Sequence, residues 1–405
     1  MSRFVARTLA PVLLRASREF PAVVLTGPRQ SGKTTLLRRL FPRAGYVSLE
    51  PLDVRAAAQA DPRGFLALHP PPVILDEVQH APDLLPYLKE LIDARRSARG
   101  RWLLTGSQNL ALGAQVGETL AGRAAVLQLL PLSRRELDGA PDRPLPWERA
   151  AAKARGPGVA HGALWSSIVR GGYPELALAR RRDATLWHRS YLQTYLERDV
   201  RGLRQVGSLT EFRAFLVMLA ARSGQLLNMA DLARDLGVAL NTVKAWIGVL
   251  EATYQIVVLR PWFANIGKRL VKTPKVYFTD SGILCHLLGF ESARAAATSP
   301  LAGAIFETAV IGELFRALVH RGAAPRLGFF RSATGLEVDV IVEHGGAVVP
   351  IEIKASATPR PAMAASIEAL RGYLGERLGR GFVVHGGEER LPLGRAVEAV
   401  PLWAL

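Results

Sequence analysis

The chain has 405 residues, 49% of them hydrophobic, and its 52 Lys and Arg outnumber 35 Asp and Glu to give a formal charge of +17. It is too long for one ordinary core and too apolar for extended disorder, so two to four packing units are expected. One cysteine, Cys285, excludes an internal disulfide, no Cys/His cluster has zinc-ligand spacing, and no eighteen apolar residues run without a charge, so a soluble, cytoplasmic protein without a membrane partner is expected.

Residues 1–20 are basic, are broken by Pro11 and charges, and precede no small-residue cleavage site; they read as an amphipathic helix, not a signal peptide. Ala22–Thr26 reads as a short buried strand running into Gly27, Pro28, Arg29, Gln30, Ser31, Gly32, Lys33 and Thr34, and a helical stretch follows from Thr35 to Leu40. In such a loop, backbone N–H groups wrap phosphates and the helix N-terminus adds positive potential, while the lysine reaches the outer phosphates and the threonine hydroxyl ligates Mg²⁺. A second strand, Val73–Leu75, ends in Asp76 and Glu77. Asp76 is placed to hold the magnesium ion through water, and Glu77 to polarise the attacking water as general base. A third strand beginning at Arg101 ends in Thr105, Ser107, Gln108 and Asn109. Ser107 or its neighbours could sense the γ-phosphate, and a plain strand-end turn explains them equally well.

These residues resemble the AAA+ ATPases, specifically a bacterial and archaeal group carrying LTGPRQSGKTTLL, VILDEVQ, LLTGSQN, LAGR and LLPLSRREL in that order. The resemblance spans residues 1–137. It implies a P-loop α/β domain using ATP and Mg²⁺, with an arginine, often from a neighbouring subunit, completing the site. Arg123 is the motif-matched residue, and an arginine after a glycine turn also serves as an ordinary ion-pair residue. A homo-oligomer is therefore one expectation.

Residues 138–162, rich in Pro, Gly and Ala, read as a linker or insertion. The Gly171–Pro174 turn and the run Trp187–Val200 mark the region after the ATPase core in the same family, with residues 187, 191, 192, 195 and 196 forming one packing stripe. Asn228–Leu250 has the form helix, glycine turn, helix. Gly237 suits the turn and Asn241 can cap the second helix; positions 243, 246, 247 and 250 face a core, leaving Thr242 and Lys244 outward. A β-like run from Gln255 to Leu259 and the basic series Arg260, Lys268, Arg269, Lys272 and Lys275 complete a winged-helix pattern with a phosphate-contacting wing, a layout used for protein partners as well as DNA.

Residues 327–355 read as three alternating strands. Period two puts Glu337 with Asp339, and Glu352 with Lys354, on single faces, and the preceding helix offers Glu307 or Glu313 as a further acid. A metal-dependent nuclease needs such a set: Glu307, Asp339 and Glu352 to hold Mg²⁺ or Mn²⁺, and Lys354 to activate water. The spacing Asp339-x₁₂-Glu352-x-Lys354 resembles the PD-(D/E)XK nuclease superfamily, many of whose members bind without cutting.

The expected architecture is thus α/β: a P-loop AAA+ parallel-sheet core (1–137), a linker (138–162), a helical and winged-helix region (163–290), and a PD-(D/E)XK-like α/β domain (291–405). Residues 1–140 carry 19 Lys and Arg against 12 Asp and Glu, whereas 291–405 carries 12 of each, so any grip on DNA falls before residue 290. The leading expectation is an ATP-hydrolysing protein acting on DNA with a metal-dependent nuclease domain. The alternatives are a nucleotide-dependent DNA- or protein-binding switch without cleavage, and a chaperone-like remodeller.

Overall fold

The computed structural model describes the chain except residues 1–3, 108–118, 149–157, 197–199, 201–207 and 263–271. It divides into two compact units: residues 1–132 with 252–254 and 318–323, and residues 133–251 with 255–317 and 324–405.

The first unit is built on five parallel strands, β1 (Ala22–Thr26), β2 (Gly45–Ser48), β3 (Val73–Asp76), β4 (Trp102–Gly106) and β5 (Ala124–Gln128), in the order β2-β3-β4-β1-β5. All residues of β1, β3 and β4 are buried, as expected where helices cover both faces of a parallel sheet. One face packs Val24, Leu75, Leu88 and Leu104, and the other packs Leu13, Val23, Leu37 and Leu103. Because β4 lies between β3 and β1, groups at its C-terminal end fall between the loop after β1 and the acids after β3.

In the second unit, helix Met229–Leu236 is capped by Asn228, whose side chain accepts from the N–H groups of Ala230 and Asp231, and it closes on Gly237 at φ 69°. The following helix, Leu240–Ala252, begins one residue before Asn241. Asn241 therefore lies inside the first turn and does not cap it. Val243, Trp246, Ile247 and Leu250 are buried, Lys244 is exposed and Thr242 is half-buried. Trp187, Tyr191 and Tyr195 are likewise core residues.

Strands β6 (Ile256–Leu259) and β7 (Lys275–Phe278) pair antiparallel. The wing residues Lys268 and Arg269 lie outside the described residues. Lys275 contradicts the expectation of a solvent-facing wing cation: it is 4% exposed and ion-paired.

The C-terminal sheet comprises β8 (Leu327–Arg331), β9 (Glu337–His344), β10 (Ala347–Lys354), β11 (Gly381–His385), β12 (Leu391–Pro392) and β13 (Val397–Pro401), ordered β12-β13-β11-β10-β9-β8. β8, β9 and β10 form an antiparallel meander, and β10, β11 and β13 run parallel. Alternate residues serve two cores. Val349, Ile351 and Ile353 join one with Ile305 and Val310 of helix Ala302–Val319, while Val348 and Val383 join another with Ile367 and Leu370 of helix Ala365–Leu374.

Candidate functional site

The loop after β1 is shaped by residues in the left-handed region. Gly27 has φ 145°, and a Cβ there would meet the Leu129 carbonyl oxygen at 2.0 Å, so only glycine fits. Gln30 has φ 60°, and Gly32, at φ 96°, opens helix Lys33–Leu40. Pro28 and Ser31 are buried, Arg29 is half-buried, and Gln30 and Thr35 are exposed. Arg7 anchors this loop from the N-terminal segment, donating to Ser31 O at 2.9 Å and Leu130 O at 2.6 Å while 5% exposed. Lys33 Nζ donates to the carbonyls of Gly27 and Pro28, each at 3.0 Å.

Asp76 collects three hydroxyls. Thr34 Oγ1 donates to Oδ1 and Oδ2 at 2.8 and 3.0 Å, Tyr46 donates to Oδ2 at 2.9 Å, and Thr105 donates to Oδ1. Burial and the neighbouring Asp76 carboxylate raise the Tyr46 pKa, so the phenol stays a donor.

Glu77, at φ 58° and ψ 50°, is a non-glycine residue in the left-handed region, a costly conformation concentrated at functional sites. Its backbone N–H donates to Thr105 Oγ1 at 2.9 Å. Gln79 Nε2 donates to Glu77 Oε2 and, at 3.1 Å, to Ser107 Oγ. Burial alone would raise the Glu77 pKa, but Lys33, Gln79, Arg29 and Ser107 outweigh it and hold the carboxyl below the usual range. Glu77 is therefore kept in its proton-accepting form.

Thr34, Asp76, Lys33, Glu77 and Ser107 thus converge at the C-terminal edge of the sheet, the position expected for a ligand in an open α/β sheet. Gln108 and Asn109 lie outside the described residues. Sequence reasoning gave no site role to Arg7, Tyr46, Thr105 or Gln79, although Gln79 ends the run VILDEVQ and Thr105 lies in LLTGSQN; the first three act through contacts 24 to 123 residues apart, and Gln79 through a return of the chain onto Glu77. The donor set fits ATP and Mg²⁺: a glycine-shaped loop, a buried lysine, and a hydroxyl already seated against a carboxylate.

Arg123 is held elsewhere. It pairs with Asp93 through Nε and Nη2 at 2.7 and 2.8 Å, and its hydrogen bond to Arg123 holds the Asp93 pKa low. Its carbonyl accepts from Ala22 N, the start of β1, whereas the phosphate-binding loop leaves the other end of that strand. A five-residue strand spans about 13–16 Å, so Arg123 serves an ion pair at the opposite edge from the chain's own loop.

In the second unit, Glu337, Asp339, Glu352, Lys354 and Ser366 line an open pocket of about 510 Å³. Lys354 Nζ lies 2.8 Å from Glu352 Oε2 and 3.8 Å from Asp339 Oδ2, Asp339 accepts from Ile353 N at 2.8 Å, and Ser366 donates to Glu352. Burial, then the Asp339 charge, push the Glu352 pKa up to about 7. Glu307 faces a different partner set: it accepts from Tyr277 and lies 3.3 Å from Lys275 Nζ, which is 2.6 Å from Glu337. Glu313 pairs with Arg316 at 2.7 Å and accepts from Arg134 N at 2.8 Å, a structural role. Among the described residues no three His, Cys, Asp or Glu side chains are grouped to hold a metal ion.

Fold and loop together define an AAA-type P-loop ATPase, and residues 19–138 match the family described as AAA domain. Residues 162–294 and 302–405 match two domains of unknown function, DUF8612 and DUF4143. The chain belongs to the family of two uncharacterized proteins from Mycobacterium tuberculosis and Mycobacterium bovis, each 36% identical over 402 residues, covering 98% of this chain and 83% of the relative. Among solved structures, a Walker-type ATPase of Pyrococcus abyssi is similar at 17% identity and TM-score 0.41, covering 70% of this chain and 96% of its own. A signal-transduction ATPase with a tetratricopeptide repeat sensor from Pyrococcus horikoshii is similar at 12% identity and TM-score 0.28, covering 78% and 47%. Among the described residues, no helix is long and apolar enough to cross a membrane.

Proposed function

We propose that this AAA-type ATPase is a nucleotide-dependent switch that grips DNA. The observation that carries the reading is the helix pair around Gly237, whose second helix buries Val243, Trp246, Ile247 and Leu250 and leaves Asn241 and Lys244 exposed, in a chain of charge +17. At the nucleotide site, Mg²⁺ bound with ATP supplies neutralisation of the phosphate charge. Lys33 and the loop N–H groups bind and orient the triphosphate, Thr34 and Asp76 offer the metal ligands, and Glu77 accepts the proton of the attacking water. Gln79 and Ser107 fix the direction of the Glu77 carboxylate.

Binding of labelled duplex across a salt series tests this reading. Wild type is expected to weaken steeply with salt, and Lys244→Ala to reduce the slope by about one. Salt-independent binding, or none, would support a protein-remodelling role instead. Arg123 enters this proposal only through a neighbouring copy, since its own loop lies at the other edge of the sheet.

A second reading, metal-dependent DNA cleavage, is favoured by the open pocket over Asp339, Glu352 and Lys354 and by the displaced Glu352 pKa. The switch is preferred because the Lys354 ammonium already sits against that carboxylate pair and, among the described residues, no three acids are grouped to hold a metal ion. Cut products from labelled DNA with Mg²⁺ or Mn²⁺, lost in Glu352→Ala, would reverse the preference.

A further inference from the structure

Lys275 was expected on a wing facing phosphates. It is instead the first residue of β7, 4% exposed, with its ammonium 2.6 Å from Glu337 Oε1 and 3.3 Å from Glu307 Oε1 and over the Phe329 ring at 5.5 Å. Tyr277, two residues along the same strand and therefore on the same face, donates to the same Glu307 oxygen. Arg331 supplies a further cation to Glu337 at 3.1 Å. Glu307 comes from helix Ala302–Val319 and Glu337 from β9, so one strand of the hairpin supplies both the cation and a hydroxyl to acids of the C-terminal sheet and its helix.

A metal-dependent site of the kind the Asp339-x₁₂-Glu352-x-Lys354 spacing suggests would use Glu307 to complete the shell. The geometry does not fit that role. A divalent ion on Glu307 Oε1 would share that oxygen with the Lys275 ammonium, which lies 3.3 Å from it, and two cations drawn to one carboxylate oxygen repel. With carboxylate oxygens at 2.6 and 3.3 Å, the buried Lys275 is supplied with the partners that its ammonium needs. Across the face, Lys354 plays the same part for Glu352 and Asp339.

We infer that Lys275 is the resident cation of the C-terminal acid cluster, taking at Glu307 the place that the sequence pattern reserves for a metal ion. The cluster is then a composite of the stretches 162–294 and 302–405, which match separate families, and is incomplete in either alone. Both stretches lie in the same compact unit. The inference concerns neither nucleotide nor DNA, and it fails or stands independently of the switch.

The test is calorimetric titration of Mn²⁺ into nucleotide-free full-length protein for wild type, Glu307→Gln, Lys275→Met and the double variant. Glu307→Gln is expected to leave Mn²⁺ affinity within about twofold of wild type, and absence of Mn²⁺ binding by both proteins supports the inference equally. Lys275→Met, which takes the ammonium from Glu307 and leaves Glu337 with Arg331 alone, is expected to raise Mn²⁺ affinity roughly tenfold or more, with the gain lost in the double variant. Weakening of wild-type binding by about tenfold in Glu307→Gln, or a folded Lys275→Met without a gain, would overturn it. Should Lys275→Met not fold, reductive methylation of wild type read by mass spectrometry decides: Lys275 is expected to stay unmodified with and without saturating Mn²⁺. Labelling that appears only with Mn²⁺ would mean that the ion displaces the lysine and that the assignment is wrong.

Discussion

Lys33 and Lys275 are both 4% exposed, and both sit at the start of a regular element, yet their surroundings prepare them for opposite tasks. Lys33 donates to two neutral carbonyls of its own loop, and its charge acts on the Glu77 carboxylate. A phosphate oxygen is a stronger acceptor for an ammonium than a carbonyl is, so these bonds yield to a ligand. Lys275 is bonded to two carboxylates, and an incoming anion has nothing to gain there. Equal burial thus gives a site that waits for a ligand in one unit and a site whose counter-ion is built in at the other.

The comparison breaks most visibly at Lys33. Lys33→Ala should cut ATP turnover at least about 100-fold, the scale of losing one preorganised charge-stabilising donor, as followed by phosphate release. Turnover near wild type would mean that the carbonyl-bonded lysine is structural. Glu77→Gln comes next: turnover should fall by roughly 10²–10³-fold while ATP affinity persists, because the base is lost and the loop is intact. Equal loss of affinity and turnover would assign Glu77 to binding.

At the other lysine the effect should appear in stability. Lys275→Met should cost about 2–3 kcal/mol in urea unfolding, because it takes a buried ammonium from Glu307 and leaves Glu337 with Arg331 alone. A cost under about 1 kcal/mol would show that the pair contributes no more than a surface ion pair.

An effect of similar size is a pH dependence at Glu352, whose folded pKa of about 7 stands above the ordinary value of 4.5. A raised folded pKa means that the native state holds its proton more tightly, so its stabilising contribution is complete below pH 4.5 and is lost as pH rises through 7. Glu352→Gln lacks this titration. Relative to wild type it should therefore gain on the order of 2–3 kcal/mol between pH 4.5 and 7.5 in denaturant melts, and a constant difference would show that folding does not raise the Glu352 pKa.

How much of this could be read from sequence depends on how local the interactions are. The loop from Gly27 to Thr34 is contiguous, and its glycines answer local backbone needs, so it was legible, as were Asp76 and Glu77 at the end of an apolar strand. The meander β8, β9 and β10 was legible because period-two alternation is itself the packing rule of a two-faced sheet. Strands β2 and β5 were not read: β2 carries only four residues, two of them exposed, and β5 follows a glycine turn with no full alternation. The partners of Lys275 are 32 and 62 residues away in sequence, and a basic series with no acid between gives no hint that its last member turns inward. Arg7 was hidden the same way, since its bonds to Ser31 and Leu130 exist only once the sheet has formed. Glu307, Asp339 and Glu352 were each found as acids, but spacing cannot report which cation each one meets.

The most direct test of the switch is the affinity of full-length Glu77→Gln for labelled duplex, measured by anisotropy with ATP and with ADP under conditions where hydrolysis is blocked. The account predicts that the two nucleotide states differ by roughly tenfold, the usual scale of coupling between sites, and that the DNA is recovered uncut. Equal affinity in both states, or no binding at low salt in either, would contradict it.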